Sequence, residues 1–344
     1  MDITEILTLS AKQGASDLHI STGLPPMIRV DGELHRTNLP LLTHQQVHSL
    51  IYQIMNNKQK KEFEEFLDID FSFSVPDVAR FRVHIFHQNR GYAAVFRTIP
   101  TQILTLEQLG MGDVFRNISL QSRGLVLVAG PTGSGKSTSM AAMVDCINKN
   151  RSDHILTIED PIEFVHQSNK SLINQRQMHR DTLNFDQALR SALREDPDVL
   201  VIGELRDLQT IRLALTAAET GHLVLATMHT TSATKTIDRV VDVFPASEKS
   251  MVRSMLSESL EAVISQLLLA KEGGGRVAAF EIMIGTRAVR NLIREGKIAQ
   301  MYSSIQTGSA VGMQTLDQNL NYLVGQGVIR KDVAKAKAKF PDAW

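Results

Sequence analysis

A single cysteine, Cys146, stands in 344 residues, which excludes an internal disulfide and any zinc site built on several cysteines. A reducing compartment suits such a chain. Net charge is missing as well: 37 Lys and Arg balance 37 Asp and Glu. No global cationic field is available to hold a polyanion, so nucleic acid is not expected as a partner. No stretch reaches ~18 uninterrupted apolar residues, the least that crosses a bilayer as a helix. The opening MDITEILTLSAKQG mixes acidic and polar residues with apolar ones, unlike the basic start and unbroken apolar core of a secretory signal. The expectation is a cytoplasmic protein with no direct membrane insertion, peripheral at a membrane through a partner.

What the chain has is an ordinary globular composition, 43% hydrophobic and 22% charged, in a length that suits two domains better than one. Ile3, Ile6, Leu7 and Ser10 lie at helical spacing after Asp2, with Gly14 as a stop, so a short helix opens the chain. Asp31-Gly32 reads as a hairpin turn, and Thr43 with Gln46 as a capping box for a second helix. DIDFSFSV and RFRVHIF alternate polar and apolar residues, the period of a strand with one buried face. That alternation turns Arg80, Arg82 and His84 away from the core. A third strand ends at Pro100, completing an α/β meander of about 100 residues.

Beyond a short turn of helix led by Thr105, the pattern changes. GLVLVAG, ILTI, VLVI and LVLAT are apolar runs separated by helical segments, the signature of a mainly parallel sheet covered on both faces. Gly273 to Gly275 turn a hairpin near the end, and helices follow almost to Trp344.

Directly after the first apolar run, Gly130-Pro131-Thr132-Gly133-Ser134-Gly135-Lys136-Ser137 matches G-x-x-x-x-G-K-[ST] in full, with Thr138 opening a helix. In strand-to-helix context this pattern is a phosphate-binding loop. Its glycines let backbone N–H groups turn inward, and the helix N-terminus favours an anion. Lys136 is expected at the β- and γ-phosphates of ATP and the Ser137 hydroxyl on Mg²⁺. Hydrolysis also needs a carboxylate on the metal side and a group that orients water. Glu159, Asp160 and Glu163 follow ILTI, and Glu204 follows VLVI. We assign Glu204 to Mg²⁺ or its water shell and Glu163 to the attacking water, with the roles exchangeable; capping or solvated roles compete. His222 and His229 bracket LVLAT. His229 is expected to sense the γ-phosphate, and His222 to join the nucleotide site or serve as a turn residue.

These residues now resemble a known family. GPTGSGKST, the acidic box ILTIEDPIEF, the Walker B-like DPDVLVIGELRD and the histidine box TGHLVLATMHT occur in the order found in the secretion and type IV pilus ATPase superfamily. SDLHI and VDGEL resemble that superfamily's first domain, so the likeness covers most of the chain. Residues 288–295, AVRNLIRE, resemble the AIRNLIRE motif of the pilus retraction branch, departing only at Val289. Its plain alternative is an amphipathic helix with Val289, Leu292 and Ile293 packed inward and the charges solvated. Assembly and type II secretion relatives carry a four-cysteine zinc element and longer N-terminal regions. One cysteine and a start at the first domain favour the retraction branch over these, while a PilU-like accessory ATPase stays open as the alternative, with which the short C-terminal end agrees less well.

The resemblance implies a PAS-like α/β domain over 1–100, a linker over 101–112 and a RecA-like ATPase domain over 113–344. It further implies a homo-hexameric ring with ATP and Mg²⁺ between domains, whose rotation drives an inner-membrane PilC-like platform protein. A PilU-like paralogue is a further implied partner. Arginines of the first domain would reach the phosphates. Arg82 and Arg97 fit, with surface ion pairing as the alternative. A nucleic-acid translocase on a RecA-like core is the rival that charge neutrality disfavours. In the tail, Lys335, Lys337 and Lys339 alternate with alanines as a solvated helix face.

Overall fold

The computed structural model describes residues 2–30, 32–99 and 102–344. It contains two compact units, Met1–Gln102 and Ile103–Trp344.

In the first unit, β1 (Asp17–Ser21), β2 (Met27–Val30), β3 (Glu33–Arg36), β4 (Asp68–Val75), β5 (Ala79–Gln88) and β6 (Gly91–Ile99) form one sheet. Its order is β3-β2-β1-β6-β5-β4, and every neighbouring pair is antiparallel. Leu18 lies opposite Phe96, and Val83 opposite Phe96 on its other side. These residues share one face and pack with Ile3, Leu7, Val47 and Ile51 of two helices in a single cluster. Asp2 caps the first helix through the Thr4 N–H at 3.2 Å, and Thr43 with Gln46 forms the expected capping box. Arg80, Arg82 and His84 lie off the core face, as the alternation requires. The turn position Asp31 and the strand-ending Pro100 fall outside the described residues.

The second unit holds β7 (Gly124–Ala129), β8 (His154–Glu159), β9 (Leu172–Gln177), β10 (Val199–Ile202), β11 (Leu223–Met228), β12 (Leu260–Ala270) and β13 (Arg276–Ile284). Their order is β13-β12-β7-β11-β10-β8-β9. Six strands run parallel and β13 closes the edge antiparallel. Alternate residues feed two separate cores. Leu125, Leu127, Leu200 and Val224 join one, while Val126, Val128, Val199 and Leu225 join the other. Apolar runs without alternation are what burial on both faces demands. Leu106 and Met111 are buried in the second of these cores, so much of the stretch expected as a linker is packed into this unit.

Two expectations near the end change. Val289 and Ile293 are fully buried and Leu292 packs against their cluster, as foreseen, but Arg290 is not simply solvated. Its guanidinium donates to Gly285 O at 2.6 Å and to Glu261 Oε1 at 2.7 Å, fixing the base of the β12–β13 hairpin. In the tail, Lys331–Lys335 is α-helical and Pro341–Ala343 forms a short 3-10 helix, with Lys337 and Lys339 in neither. Lys339 sits over the Tyr302 ring, 3.3 Å from its centroid, because Asp317 accepts from the Lys339 and Phe340 N–H groups and pins the strap down.

Candidate nucleotide site

Parallel strands aim their carboxyl ends one way, and ligands of such sheets bind there. The phosphate loop leaves β7 at that end and enters the helix Lys136–Asn150. Gly130, Gly133 and Gly135 adopt φ of 152°, 78° and 86°. A side chain at Gly130 would meet Gln266 O and Ser134 Oγ at 2.5 Å, so the close approach as well as the backbone angle requires glycine. Pro131, Thr132 and Gly133 form the exposed outer rim. Lys136 is buried and donates to Gly130 O at 2.8 Å and Pro131 O at 3.0 Å. Burial pushes its pKa down, and the Glu204 and Glu163 carboxylates pull it back up. That opposition places both acids within electrostatic reach of the lysine. The buried Ser134 Oγ has no hydrogen-bond partner among the described residues, a spare donor in the cradle that suits phosphate oxygens.

Glu204 Oε2 accepts from Arg206 Nε at 2.7 Å, and its Oε1 lies 3.4 Å from His229 Nε2. Arg206 also approaches Asp160 at 3.9 Å. Asp207 does not pair with this arginine but caps the helix Leu208–Glu219 through Thr210 N at 2.8 Å. Ser137 is half-buried. It lines a cavity of about 50 Å³ with Thr157, Glu159, Gly203 and Thr227. Ser137 and Glu204 together offer only hard oxygen donors, and no cluster of three or more His, Cys, Asp or Glu that could hold a metal exists among the described residues. A sparse oxygen set of this kind fits Mg²⁺ held jointly with phosphates and water, and does not fit zinc.

Glu163 is exposed, yet its backbone is fixed from below by two residues the sequence did not single out for this role. Its N–H donates to the half-buried Glu159 carboxylate. Gln175, on β9, donates to Glu159 Oε1 at 3.1 Å and to Phe164 O at 2.8 Å, and accepts from His166 N at 2.8 Å. One amide therefore braces both ends of the turn that carries Glu163. Burial raises the Glu159 pKa, against the hydrogen bonds from Thr157 and Gln175.

Burial lowers His166 from its ordinary 6.5 to about 4, with Asp145 pulling the other way. The unfolded chain takes up this proton first as pH falls, so stability tied to the neutral ring is present above about 6.5 and is lost down to about 4. A His166→Gln variant is expected to show a shallower fall in Tm across that window. An unchanged slope would remove His166 from the acid sensitivity of the fold.

His222 is a correction. Leu223 pairs with Gly124 and Met228 with Ala129, so His222 adjoins the amino end of β11, about 20 Å of strand from the phosphate loop. Its Nδ1 lies 2.9 Å from Ala217 O, and its carbonyl accepts from Gly124 N. The turn role holds and the cofactor-binding role in its own chain does not. Loop, Glu163, Glu204 and His229 do converge on one end of the sheet. In the first unit, Arg82 and Arg97 are direct cross-strand partners. Arg82 forks onto Asp70 at 2.7 and 3.1 Å, and Arg97 reaches the buried Asp17 at 3.0 Å.

A phosphate loop opening onto acids from adjacent parallel strands marks the chain as a phosphate-loop ATPase. A family model described as "Type II/IV secretion system protein" matches residues 1–273, and the chain belongs to that family. It is 71% identical over 342 residues to the type IV pilus retraction ATPase PilT of Pseudomonas aeruginosa, covering 99% of each. With a twitching motility protein of Neisseria gonorrhoeae it shares 60% identity over 315 residues, 91% of this chain and 84% of that one. A crystal structure of the pilus retraction motor PilT with bound ADP matches with a TM-score of 0.94 at 45% identity, covering 100% of this chain and 99% of that one. Among the described residues, no helix is long and apolar enough to cross a membrane.

Proposed function

We propose that this chain hydrolyses ATP to power type IV pilus retraction and twitching motility, as a homo-hexameric ring at the cytoplasmic face of the inner membrane. The observation that carries this reading is the 71% identity with PilT across 99% of both chains, joined to an intact phosphate loop with Glu163 and Glu204 beside it. In the proposed cycle the loop N–H groups and Lys136 hold the phosphates. Glu163 orients the attacking water from a braced turn, and His229, beside Glu204, reads the γ-phosphate. Ser137 and Glu204 hold Mg²⁺, which when bound neutralises charge on the transferring phosphoryl group. In the assembled ring, Arg82 and Arg97 add cations at the phosphates, so a site completed only on closure couples hydrolysis to domain rotation. That rotation acts on a PilC-like platform protein, with a PilU-like paralogue as a second partner.

Complementation tests the proposal. Introduced into Pseudomonas aeruginosa cells that lack their own retraction ATPase, the gene is expected to restore twitching. Cells that stay non-motile while holding normal amounts of the protein would contradict it.

A further inference from the structure

Gln266 is a polar residue in an apolar strand, LEAVISQLLLA, and is 2% exposed. An amide buried without partners is destabilising, so its bonds indicate its role. Pairing between β12 and β7 ends at Ser265 and Ala129, which leaves Gln266 level with the point where β7 becomes the phosphate loop. There its amide spans the loop and the helix that follows. Nε2 donates to Ser134 O at 2.7 Å, and Oε1 accepts from Ser139 Oγ at 2.7 Å. Ser134 O can only accept, which fixes which way round the amide sits.

The same residue sets the glycine requirement on both sides of the loop. A side chain at Gly130 would strike Gln266 O at 2.5 Å, and one at Gly135 would strike Gln266 Nε2 at 2.9 Å. Ser139 is itself 2% exposed, so neither bond is exchanged readily for water. The amide therefore bridges the two segments whose relative placement sets the curve of the nest.

We infer that Gln266 is a positioning residue of the nucleotide site: its buried amide holds the phosphate loop against the helix Lys136–Asn150 in the curvature that presents successive N–H groups to phosphate oxygens. This rests on the loop binding nucleotide phosphates, as proposed above. Gln266 touches no phosphate itself. Its contribution is made before binding, as preorganisation, and bears alike on the ground state and the transition state.

The test is calorimetric titration of full-length Gln266→Leu with ADP, alongside steady-state kinetics with ATP. ADP Kd and KM are expected to rise together by tenfold or more, with kcat moving much less. Ser139→Ala, which keeps the strand untouched, is expected to give a smaller rise of the same kind. The double variant is expected to fall short of the product of the two, because both remove one bridge. Should Gln266→Leu not fold, Ser139→Ala and Gln266→Glu carry the test, since an ionised glutamate cannot donate to Ser134 O. Unchanged Kd and KM in the folded variants would overturn the inference. So would a fall in kcat alone, which reports lost active protein and not a misplaced loop. If Lys136→Ala also binds ADP normally, it is the nucleotide-site reading that fails, and the two failures are thereby told apart.

Discussion

Lys136→Ala is expected to weaken ADP binding by about a hundredfold or more and to stop turnover, with the fold intact. The ammonium is the buried charge in the cradle, held at 2.8 and 3.0 Å from two loop carbonyls and supported by Glu204 and Glu163. A charge-assisted hydrogen bond contributes about 1.5–3 kcal/mol, and about 2.7 kcal/mol corresponds to a hundredfold in affinity. The fold survives because Lys136 is the first residue of its helix, where alanine is well tolerated, and because the sheet beneath is held by two apolar cores. Titration with ADP beside a thermal scan checks both halves. Normal binding in a folded variant would place the nucleotide elsewhere.

The second large effect separates the two acids. Glu163→Gln is expected to lower kcat by roughly 10²–10⁴-fold, the range for losing a group that handles the reacting proton, while ATP binding persists. Glu204 is already engaged by Arg206 at 2.7 Å and lies 3.4 Å from His229, which suits a carboxylate that holds charge in place. Glu163 is exposed above a backbone fixed by Glu159 and Gln175, which suits a group that meets water. Glu204→Gln is therefore expected to raise the Mg²⁺ concentration needed for activity as well as lower turnover. If the Gln substitution at 163 instead raised the Mg²⁺ requirement and the one at 204 left it unchanged, the two roles would be exchanged.

How much of this was legible in the sequence depends on how local each feature is. The phosphate loop could be read outright, because its geometry is written in consecutive glycines after an apolar strand. The two-faced burial of β7, β10 and β11 was equally plain from their unbroken apolar runs. Gln175 and Gln266 were invisible, since they act 9 to 132 residues away from their partners and an isolated glutamine carries no period. The helix Asn57–Phe66 went unread because it buries Phe63 alone. Its one local signal was the Asn56–Gln59 capping box, a pattern open to inspection. The edge strand β9, LINQRQ, is too polar for a strand signal. His222 was misplaced by treating nearness to a strand as nearness to the site. The direction of β11 decides otherwise, and the rule that ligands gather at carboxyl ends would have excluded it.

One measurement bears most directly on the motor reading: the number of surface pili on cells of the source organism in which Lys136→Ala replaces the normal chain. An excess of pili together with lost twitching is the predicted result, since assembly would continue without a force to withdraw the fibre. Cells bare of pili would contradict the account, and would make this chain a motor of assembly.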